Sequence, residues 1–155
     1  MSHEPFDVIT IGRVSVDVYP QQIGVGLEDV TSFGKFLGGS ATNVAVAAAK
    51  YGHKSAVITR TGADPFGKFI KRELVRLGVS DEFVSEVTGL PTPVVFCEIF
   101  PPDDFPLYFY REPKAPDLVI NPNELDVDAI HNARIYWSTV TGLSQEPSRT
   151  SHFVA

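Results

Sequence analysis

The stretch FLGGSATNVAVAAAKYG, residues 36–52, decides the fold, because two glycines stand directly ahead of a run of small apolar residues. Gly38 and Gly39 permit backbone angles and close approaches that a Cβ would forbid. The run that follows predicts a helix over 41–51. Because that run is apolar nearly all round, we expect the helix to be buried on several sides.

The ends of this helix carry their own signals. Ser40 and Thr42 are candidate N-caps, and Gly52 is a candidate stop at the C-terminal end. A helix N-terminus behind a glycine pair gathers free N–H groups and the positive end of the helix dipole, which suits an anion or a polyhydroxylated ligand. A tight strand-to-helix turn that binds nothing fits the same spacing equally well.

Strands and helices alternate around this stretch. The β-branched apolar run FDVITI, residues 6–11, predicts a buried strand before it, and SAVITRTG, residues 55–62, predicts a second strand after it. Asp64 is then a candidate N-cap, with Pro65 at the first position of an amphipathic helix that Gly78 closes. This alternation predicts an α/β fold with a parallel sheet.

Two segments break the alternation. Residues 13–37 carry alternating valines and then turn residues, which indicate extended chain with turns rather than a helix. TPVVFCEIF and LYFYR predict two further strands, joined by the turn-rich PPDDFP in the pattern of a hairpin. We expect the two segments, about 13–36 and 93–112, to pair as a small antiparallel lid sheet.

The last third of the sequence returns to the main sheet. NPNELDVDAIHNA predicts a helix of one to three turns, and RIYWSTVTG predicts an apolar strand after it. Residues 144–155, SQEPSRTSHFVA, show no pattern of a completed element. Because a doubly wound sheet has helices on both faces, we expect this chain to be only the N-terminal part of its domain.

Composition limits the classes of partner. The 155 residues are 43% apolar and carry a net charge of −6 with a pI near 5.1, which fits a globular domain and argues against nucleic acid and anionic membranes. We find neither a signal peptide nor an apolar run of about 20 residues. The single cysteine, Cys97, predicts a buried structural thiol in a reducing cytoplasm, and the four histidines lack metal-ligand spacing.

Two stretches of the sequence match nucleotide-binding motifs only in part. GADPFGKF, residues 62–69, resembles a P-loop, but Phe69 stands where that motif needs Ser or Thr for magnesium. GVG, residues 24–26, lacks the third glycine that opens a helix in a dinucleotide-binding turn. The first stretch is better explained as a helix start with a core aromatic residue.

Polar side chains just past the strands are the candidate binding residues. Asp17 follows the first strand, where a carboxylate can accept hydrogen bonds from sugar hydroxyls, or it is a solvated turn residue. Arg111 closes LYFYRE and suits the carboxylate of a sugar acid, or it protects an exposed edge strand. Arg13 and Arg60 are weaker candidates of the same kind, and Tyr110 offers either lid packing or a stacking surface.

These pieces resemble the N-terminal half of the ribokinase-like (PfkB) carbohydrate kinases. FDVITIGRVSVD matches the first strand and its aspartate, GGSATNVAVAAAKYG matches the family's N-terminal signature, and VITRTGADPFGKFIKRELVRLGV follows in the usual order. Within the family, GRVSVDVYPQQIG and FPLYFYRE are most similar to the 5-dehydro-2-deoxygluconokinases. The resemblance implies a doubly wound, mostly parallel sheet with helices on both faces and a β lid, of which residues 1–155 hold the N-terminal part.

The resemblance also implies roles for individual residues. Family positions that hold the hydroxyls of the sugar match Asp17, Gly38, Gly39 and Asn43. In related sugar-acid kinases an arginine at the position of Arg111 meets the acid end of the substrate. A tyrosine close to that arginine falls on Tyr110 or Phe109 in this sequence.

The reaction implied is transfer of the γ-phosphate of ATP to a primary hydroxyl of 5-dehydro-2-deoxygluconate, with Mg²⁺ and the family's usual monovalent cation as cofactors. The aspartate base, in a GAGD motif, belongs with the nucleotide and cation sites to the family's C-terminal half. No such motif occurs here, so we expect no catalytic residue in this chain and no turnover by it alone. The alternatives are a 2-dehydro-3-deoxygluconate kinase, a fructokinase, or a non-catalytic sugar-binding or dimerisation module. A cytoplasmic homodimer joined through the lid is also implied.

Overall fold

The computed structural model describes residues 5–155, which form two sheets and the helices that flank them. The strands of this part are β1 Val8–Ile11, β2 Ser15–Pro20, β3 Phe33–Gly38, β4 Ser55–Gly62, β5 Val79–Ser80, β6 Val84–Val87, β7 Val94–Cys97, β8 Leu107–Tyr110 and β9 Ile135–Ser138. The helices are α1 Ser40–Lys50, α2 Pro65–Arg76, α3 Val127–Asn132 and α4 Ser148–Val154, with 3₁₀ turns at Pro116–Val119, Pro122–Glu124 and Val140–Leu143. None of these described helices is long and apolar enough to cross a membrane.

The main sheet is parallel throughout and has the strand order β5-β4-β1-β9, with β6 also paired to β4. Strands β1 and β4 are buried along their whole length, as their apolar runs predict. On one face Ile9 belongs to a core cluster with Ile120 and with Ile130 of α3. On the other face Val57 packs in a cluster with residues of α1 and α2. The predicted parallel α/β sheet with helices on both faces is therefore confirmed.

The second sheet is a lid with the strand order β3-β2-β7-β8. Strand β2 pairs antiparallel with β3, and β7 pairs antiparallel with β8, but β2 and β7 run parallel to each other. The two strand pairs are therefore antiparallel as expected, whereas the pairing that joins the two segments into one sheet is parallel. Both central strands leave the same end of the main sheet, β2 directly after β1 and β7 after β6. The N–H of Val16 donates to the carbonyl of Pro93 at 2.9 Å and joins the two exits.

Helix α1 begins at Ser40, one residue earlier than predicted. Its N-cap is Gly39, with a φ of 105° and no capping side chain, so the prediction that Ser40 or Thr42 caps the helix is wrong. A Cβ at Gly39 would overlap the carbonyl oxygen of Arg13, and only glycine allows the helix start to come this close. Gly52, with a φ of 85°, follows the helix at the predicted stop.

One side of α1 is open in the part of the chain described. Ala41, Thr42 and Ala45 are buried. Asn43 and Ala47 are exposed. The expectation of burial on several sides is wrong, because among the described residues the helix packs on the sheet along one face only.

Asp64 caps α2, with Pro65 at the first helical position, as predicted. Its carboxylate accepts hydrogen bonds from the N–H of Gly67 and from both the N–H and the hydroxyl of Thr92, each at 2.8 Å. Phe69 is buried in the core. GADPFGKF is therefore a helix start that also fixes the chain just before β7.

Residues 144–155 form structure that the sequence pattern does not reveal. The expectation of no completed element is wrong, because α4 lies in this stretch. The buried residues of α4 are polar, namely Ser148, Ser151 and His152. The hydroxyl of Ser151 donates to the carbonyl of Ile120 at 2.8 Å. A helix held by polar contacts shows no apolar period in its sequence.

Candidate functional site

A cleft of about 210 Å³ opens between the lid sheet and the start of α1, and we call it the lid cleft. It lies beyond the C-terminal ends of β1 and β9, where open parallel sheets bind ligands. Its lining residues are Arg13, Ser15, Asp17, Tyr19, Gly39, Ser40, Pro93, Val95, Leu107, Phe109, Arg111 and Thr141. The predicted site residues among them are Arg13, Asp17, Gly39 and Arg111, while Gly38, Asn43 and Tyr110 are not part of the lining.

A larger groove, of about 350 Å³, lies at the opposite end of the main sheet beside Phe6 and Phe83. The charged side chains that line it in the described chain are both acidic, Glu82 and Asp126. In the lid cleft a carboxylate and two guanidinium groups meet instead. This mixture of charge makes the lid cleft the stronger candidate for binding a polar ligand.

Strand alternation on β2 directs Asp17 into the lid cleft. Val16 and Val18 belong to the hydrophobic core, so Asp17 points to the opposite side of the strand. The hydroxyl of Ser15 donates to one Asp17 oxygen at 2.7 Å. Within residues 5–155 no other hydrogen bond reaches this carboxylate, which leaves most of its acceptor capacity to a ligand.

The glycine pair has two separate structural tasks. A Cβ at Gly38 would overlap the Asp17 carboxylate, so this glycine leaves the room that the carboxylate occupies. Gly39 brings the start of α1 against the β1–β2 connection and itself lines the lid cleft. Asn43 lies one turn later, where its N–H donates to the carbonyl of Gly39 at 2.9 Å and its side chain is exposed.

Two ionisable groups near Asp17 keep their protons. Burial, followed by the negative charge of Asp17, raises the pKa of Tyr19, so the phenol is a hydrogen-bond donor near neutral pH. Burial, followed by the charges of Asp17 and Glu98, raises the pKa of the Cys97 thiol. Cys97 is buried, as predicted for a structural thiol.

Arg111 follows β8 and lines the lid cleft together with Phe109, the two-residue spacing expected for one face of a strand. Its guanidinium carbon lies 4.1 Å from the centre of the Phe109 ring in a cation–π contact. Among residues 5–155 no carboxylate forms an ion pair with Arg111. Tyr110 is 66% exposed, and its ring packs edge-on against Phe96 at 5.6 Å. Phe109, and not Tyr110, therefore contributes the aromatic wall of the cleft.

Arg13 is held at the cleft wall by Asp117, a residue that the sequence analysis missed. The Asp117 side chain is 1% exposed and accepts hydrogen bonds from Nε and one Nη of Arg13 at 2.9 and 3.2 Å. This bidentate pair leaves three of the five guanidinium N–H groups for other partners. No local pattern could reveal it, because the two residues are 104 positions apart.

Arg60 is occupied away from the lid cleft. Its guanidinium donates to the carbonyl of Thr59 at 3.1 Å and to the carboxylate of Glu124 at 2.9 Å. The hydrogen bond from Arg60 lowers the pKa of Glu124, which keeps this pair charged. Arg60 therefore joins β4 to the 3₁₀ turn at Pro122–Glu124, and it is not among the residues lining the cleft.

His152 is buried close to the Arg13–Asp117 pair. Its Nδ1 lies 2.7 Å from the hydroxyl of Ser138, and its Nε2 is buried without a hydrogen-bond partner in the described chain. Burial lowers the pKa of His152, and the charge of Asp117 opposes that shift. A Cβ at Gly142 would overlap the imidazole, so the ring packs directly on the turn that leads from β9.

The lid cleft thus offers one open carboxylate, a phenol, the backbone of a helix start and two guanidinium groups. These groups suit a small molecule that carries several hydroxyls and an acidic end. Within residues 5–155 no three His, Cys, Asp or Glu side chains are grouped so that they could hold a metal ion. The polar groups of the lid cleft can bind and orient such a molecule through hydrogen bonds and charge pairs.

Curated relatives match nearly all of this chain. Proteins named 5-dehydro-2-deoxygluconokinase from Listeria monocytogenes serotype 4a and from Photobacterium profundum are 36% and 35% identical over 149 and 152 residues. Those alignments cover 96% and 97% of this chain but 46% and 45% of the relatives. The chain spans about half the length of the curated relatives it matches.

Solved structures share the fold. A structure titled as an uncharacterized sugar kinase from Pyrococcus horikoshii in complex with ATP matches with a TM-score of 0.82 at 27% identity, over 93% of this chain and 46% of that one. A putative 2-keto-3-deoxygluconate kinase from Enterococcus faecalis matches with a TM-score of 0.85 at 20% identity, over 95% and 44%. The model of the pfkB family carbohydrate kinases matches residues 6–153. This chain therefore belongs to the pfkB family of carbohydrate kinases.

Proposed function

We propose that this chain is the sugar-binding half of a kinase that transfers the γ-phosphate of ATP to a primary hydroxyl of a sugar acid, foremost 5-dehydro-2-deoxygluconate. The observation that carries the proposal is the lid cleft, which Asp17 and Arg111 both line. Asp17 has open acceptor capacity, and Arg111 has no ion-pair partner within residues 5–155. The names of the two bacterial relatives support the choice of acceptor.

The proposed roles follow from this geometry. Asp17, oriented by the Ser15 hydroxyl, accepts hydrogen bonds from the hydroxyls of the sugar, and the protonated Tyr19 donates one. The guanidinium of Arg111 pairs with the acid group. Asn43 is proposed to reach a hydroxyl from the exposed first turn of α1.

ATP, Mg²⁺ and a monovalent cation are the proposed cofactors, and the described residues do not fit them. Phe69, which stands in α2 where a P-loop needs Ser or Thr, is a core residue, and no group of side chains that could hold a metal ion is present within residues 5–155. We expect the base, the nucleotide and the cations in the further half that the relatives possess. Bound there, Mg²⁺ would supply positive charge to the phosphates.

ADP release is the test. The mass-verified 155-residue chain is compared with a chain joined to the C-terminal half of the Listeria relative, in the presence of ATP, Mg²⁺ and 5-dehydro-2-deoxygluconate. We expect turnover by the joined chain alone. In that chain Asp17→Asn should raise KM about tenfold or more, because a charged acceptor is lost, while the exposed control Asp29→Asn should not. Turnover by the short chain, or equal KM values for the two variants, would refute the proposal.

Two other acceptors are used within the family, 2-dehydro-3-deoxygluconate and fructose. The Enterococcus neighbour carries the name of the first activity. Measuring kcat/KM of the joined chain for all three acceptors separates them, and we expect both acids to exceed fructose because Arg111 offers a charge partner. The variant Arg111→Met should reduce that preference. A kcat/KM for fructose that matches the acids would contradict a sugar-acid kinase.

A non-catalytic sugar-binding or dimerisation module is the alternative from another class. On the strands of the lid sheet, Phe36, Leu107 and Phe109 are about half exposed, and strand alternation puts Phe36 and Phe109 on the face that carries Asp17. This apolar face suits a second copy in the proposed cytoplasmic homodimer. Sugar binding without ATP binding by the joined chain would favour the module. Sedimentation equilibrium tests the dimer, which Phe36→Ser should weaken. A monomeric unaltered chain would contradict the proposed homodimer.

A further inference from the structure

A second cavity adjoins the lid cleft and shares two arginines with it. We call it the basic cleft; its volume is about 170 Å³. Its lining residues are Arg13, Arg111, Glu112, Lys114, Ala115, Leu118, Ser144 and Gln145. Lys114 and this cavity have no part in the roles proposed above.

Positive charge in the basic cleft exceeds negative charge. Arg13 is paired with Asp117, whereas Arg111 and Lys114 form no ion pair with any group of residues 5–155. Glu112 is the acidic residue of the described lining, and it is exposed and forms no ion pair there. Two half-buried cations that form no ion pair within the described residues favour an anion between them.

The two shared arginines give this cavity a preorganised wall. The bidentate contact with the buried Asp117 fixes the guanidinium of Arg13 and leaves three N–H groups unused. The contact with the Phe109 ring holds Arg111 in place. Donors that are already fixed lose little conformational entropy when a ligand binds, so they add to affinity.

We propose that the basic cleft binds an oxyanion, with Lys114 and Arg111 as its charge partners. The side-chain amide of Gln145, which lines the same cavity, supplies a neutral hydrogen-bond donor. The compact ammonium of Lys114 suits a carboxylate or a phosphate, and charge-assisted hydrogen bonds of this kind are the strong ones in proteins.

The oxyanion has two conceivable sources with the same chemistry. One is the acid end of a sugar that lies in the lid cleft and passes the shared arginines, and this source rests on the function proposed above. The other is a separate phosphate-like anion that binds beside the sugar. Competition between probes separates the two sources.

The experiment is an NMR titration of the ¹⁵N-labelled 155-residue chain with gluconate, with the neutral sorbitol and with inorganic phosphate. The variant Lys114→Gln is compared with Lys68→Gln, an exposed lysine of α2. We expect Lys114→Gln to weaken gluconate or phosphate binding about tenfold, the loss of one charge-assisted contact. Sorbitol binding should stay unchanged, and Lys68→Gln should change none of the three.

The outcomes decide both the site and the source. Phosphate that displaces gluconate assigns the subsite to the acid end of the sugar, and phosphate that binds together with gluconate assigns it to a separate anion. Equal behaviour of Lys114→Gln and Lys68→Gln overturns the inference, as does a chain that prefers neither anion over sorbitol. The proposed function and the subsite can also fail separately. If Lys114→Gln weakens phosphate binding but Asp17→Asn leaves sugar binding unchanged, the subsite is supported and the proposed function is refuted.

Discussion

Strands β1 and β4 lie side by side, and the chain that leaves each of them carries an aspartate, Asp17 on β2 and Asp64 at the start of α2, yet the two aspartates have different roles. After β4, Asp64 accepts three hydrogen bonds from the protein. After β1, Asp17 accepts one, from Ser15. A carboxylate that the protein saturates stabilises the fold, whereas a carboxylate left open can bind a ligand. The number of donors, which only the folded chain shows, separates the two roles.

Breaking the ion pair at the β1 exit should give the largest loss of stability. Asp117→Asn keeps the shape but removes the charge that compensates the guanidinium of Arg13. We expect the free energy of unfolding to fall by about 3–5 kcal/mol, because one partner of a buried pair is left alone. Urea unfolding followed by circular dichroism measures it, with the exposed Asp103→Asn as control. A loss equal to that of the control would mean that other contacts hold this exit.

Removing Asp64, the carboxylate that follows β4, should lower the free energy of unfolding by a smaller amount. Asp64→Ala loses a helix cap and the contacts to Thr92, and we expect about 1–3 kcal/mol of unfolding free energy with gluconate binding unchanged. Although burial opposes ionisation, hydrogen bonds from Thr92 and Gly67 hold the pKa of Asp64 below its usual 3.8. Its contribution is therefore present above pH 3.8 and is lost as the pH falls through the lowered pKa. Weakened gluconate binding would contradict a purely structural role.

Replacing Asp17, the open carboxylate, should weaken ligand binding and leave the stability nearly unchanged. Asp17→Asn should weaken gluconate binding about tenfold through the loss of a charged acceptor. Its unfolding free energy should stay within about 0.5 kcal/mol of the unaltered chain, because the protein itself makes one bond to this group. Titration and urea unfolding on the same sample test both statements. A large loss of stability with intact binding would exchange the roles of the two aspartates.

The titration of His152, which is buried near Asp117, should give the smallest effect on stability, seen as a pH dependence. Burial lowers the pKa of His152 below its usual 6.5, while the charge of Asp117 limits that shift. Between the two pKa values the unfolded chain binds a proton that the folded chain does not, so stability falls as the pH drops below 6.5. His152→Gln should flatten this decline, and the exposed His131→Gln should not. Equal pH profiles of stability for the two variants would refute the assignment of this decline to His152.

The sequence predicts those parts of the fold whose signals are local. The apolar runs of β1 and β4 place the main sheet, and the Asp64–Pro65 cap places α2, because propensity and burial act within a few residues. Asp17 and Arg111 are candidates for the same reason, since each stands just past or within a clear strand. Side-chain alternation then places both at one cavity.

The missed features depend on contacts between distant parts of the chain. The parallel pairing of β2 with β7 is set by where both strands leave the main sheet. Helix α4 is held by hydroxyls and an imidazole rather than by an apolar stripe. Gly39 replaces a side-chain cap because the helix start meets the backbone of Arg13. Asp117 becomes visible only when Arg13, 104 positions away, is brought against it.

Because β2 and β7 leave the main sheet next to each other, the lid can be exchanged as one unit. Both inner strands leave the main sheet at one end, so residues 15–38 and 94–111 could be exchanged with those of a relative while the parallel sheet keeps its own sequence. Val16 and Val94 would have to be retained, because they pack into the core shared with α2. Chimeras built in this way would exchange Asp17 and Arg111 together, and the preference for an acceptor would then be transferred by two short segments.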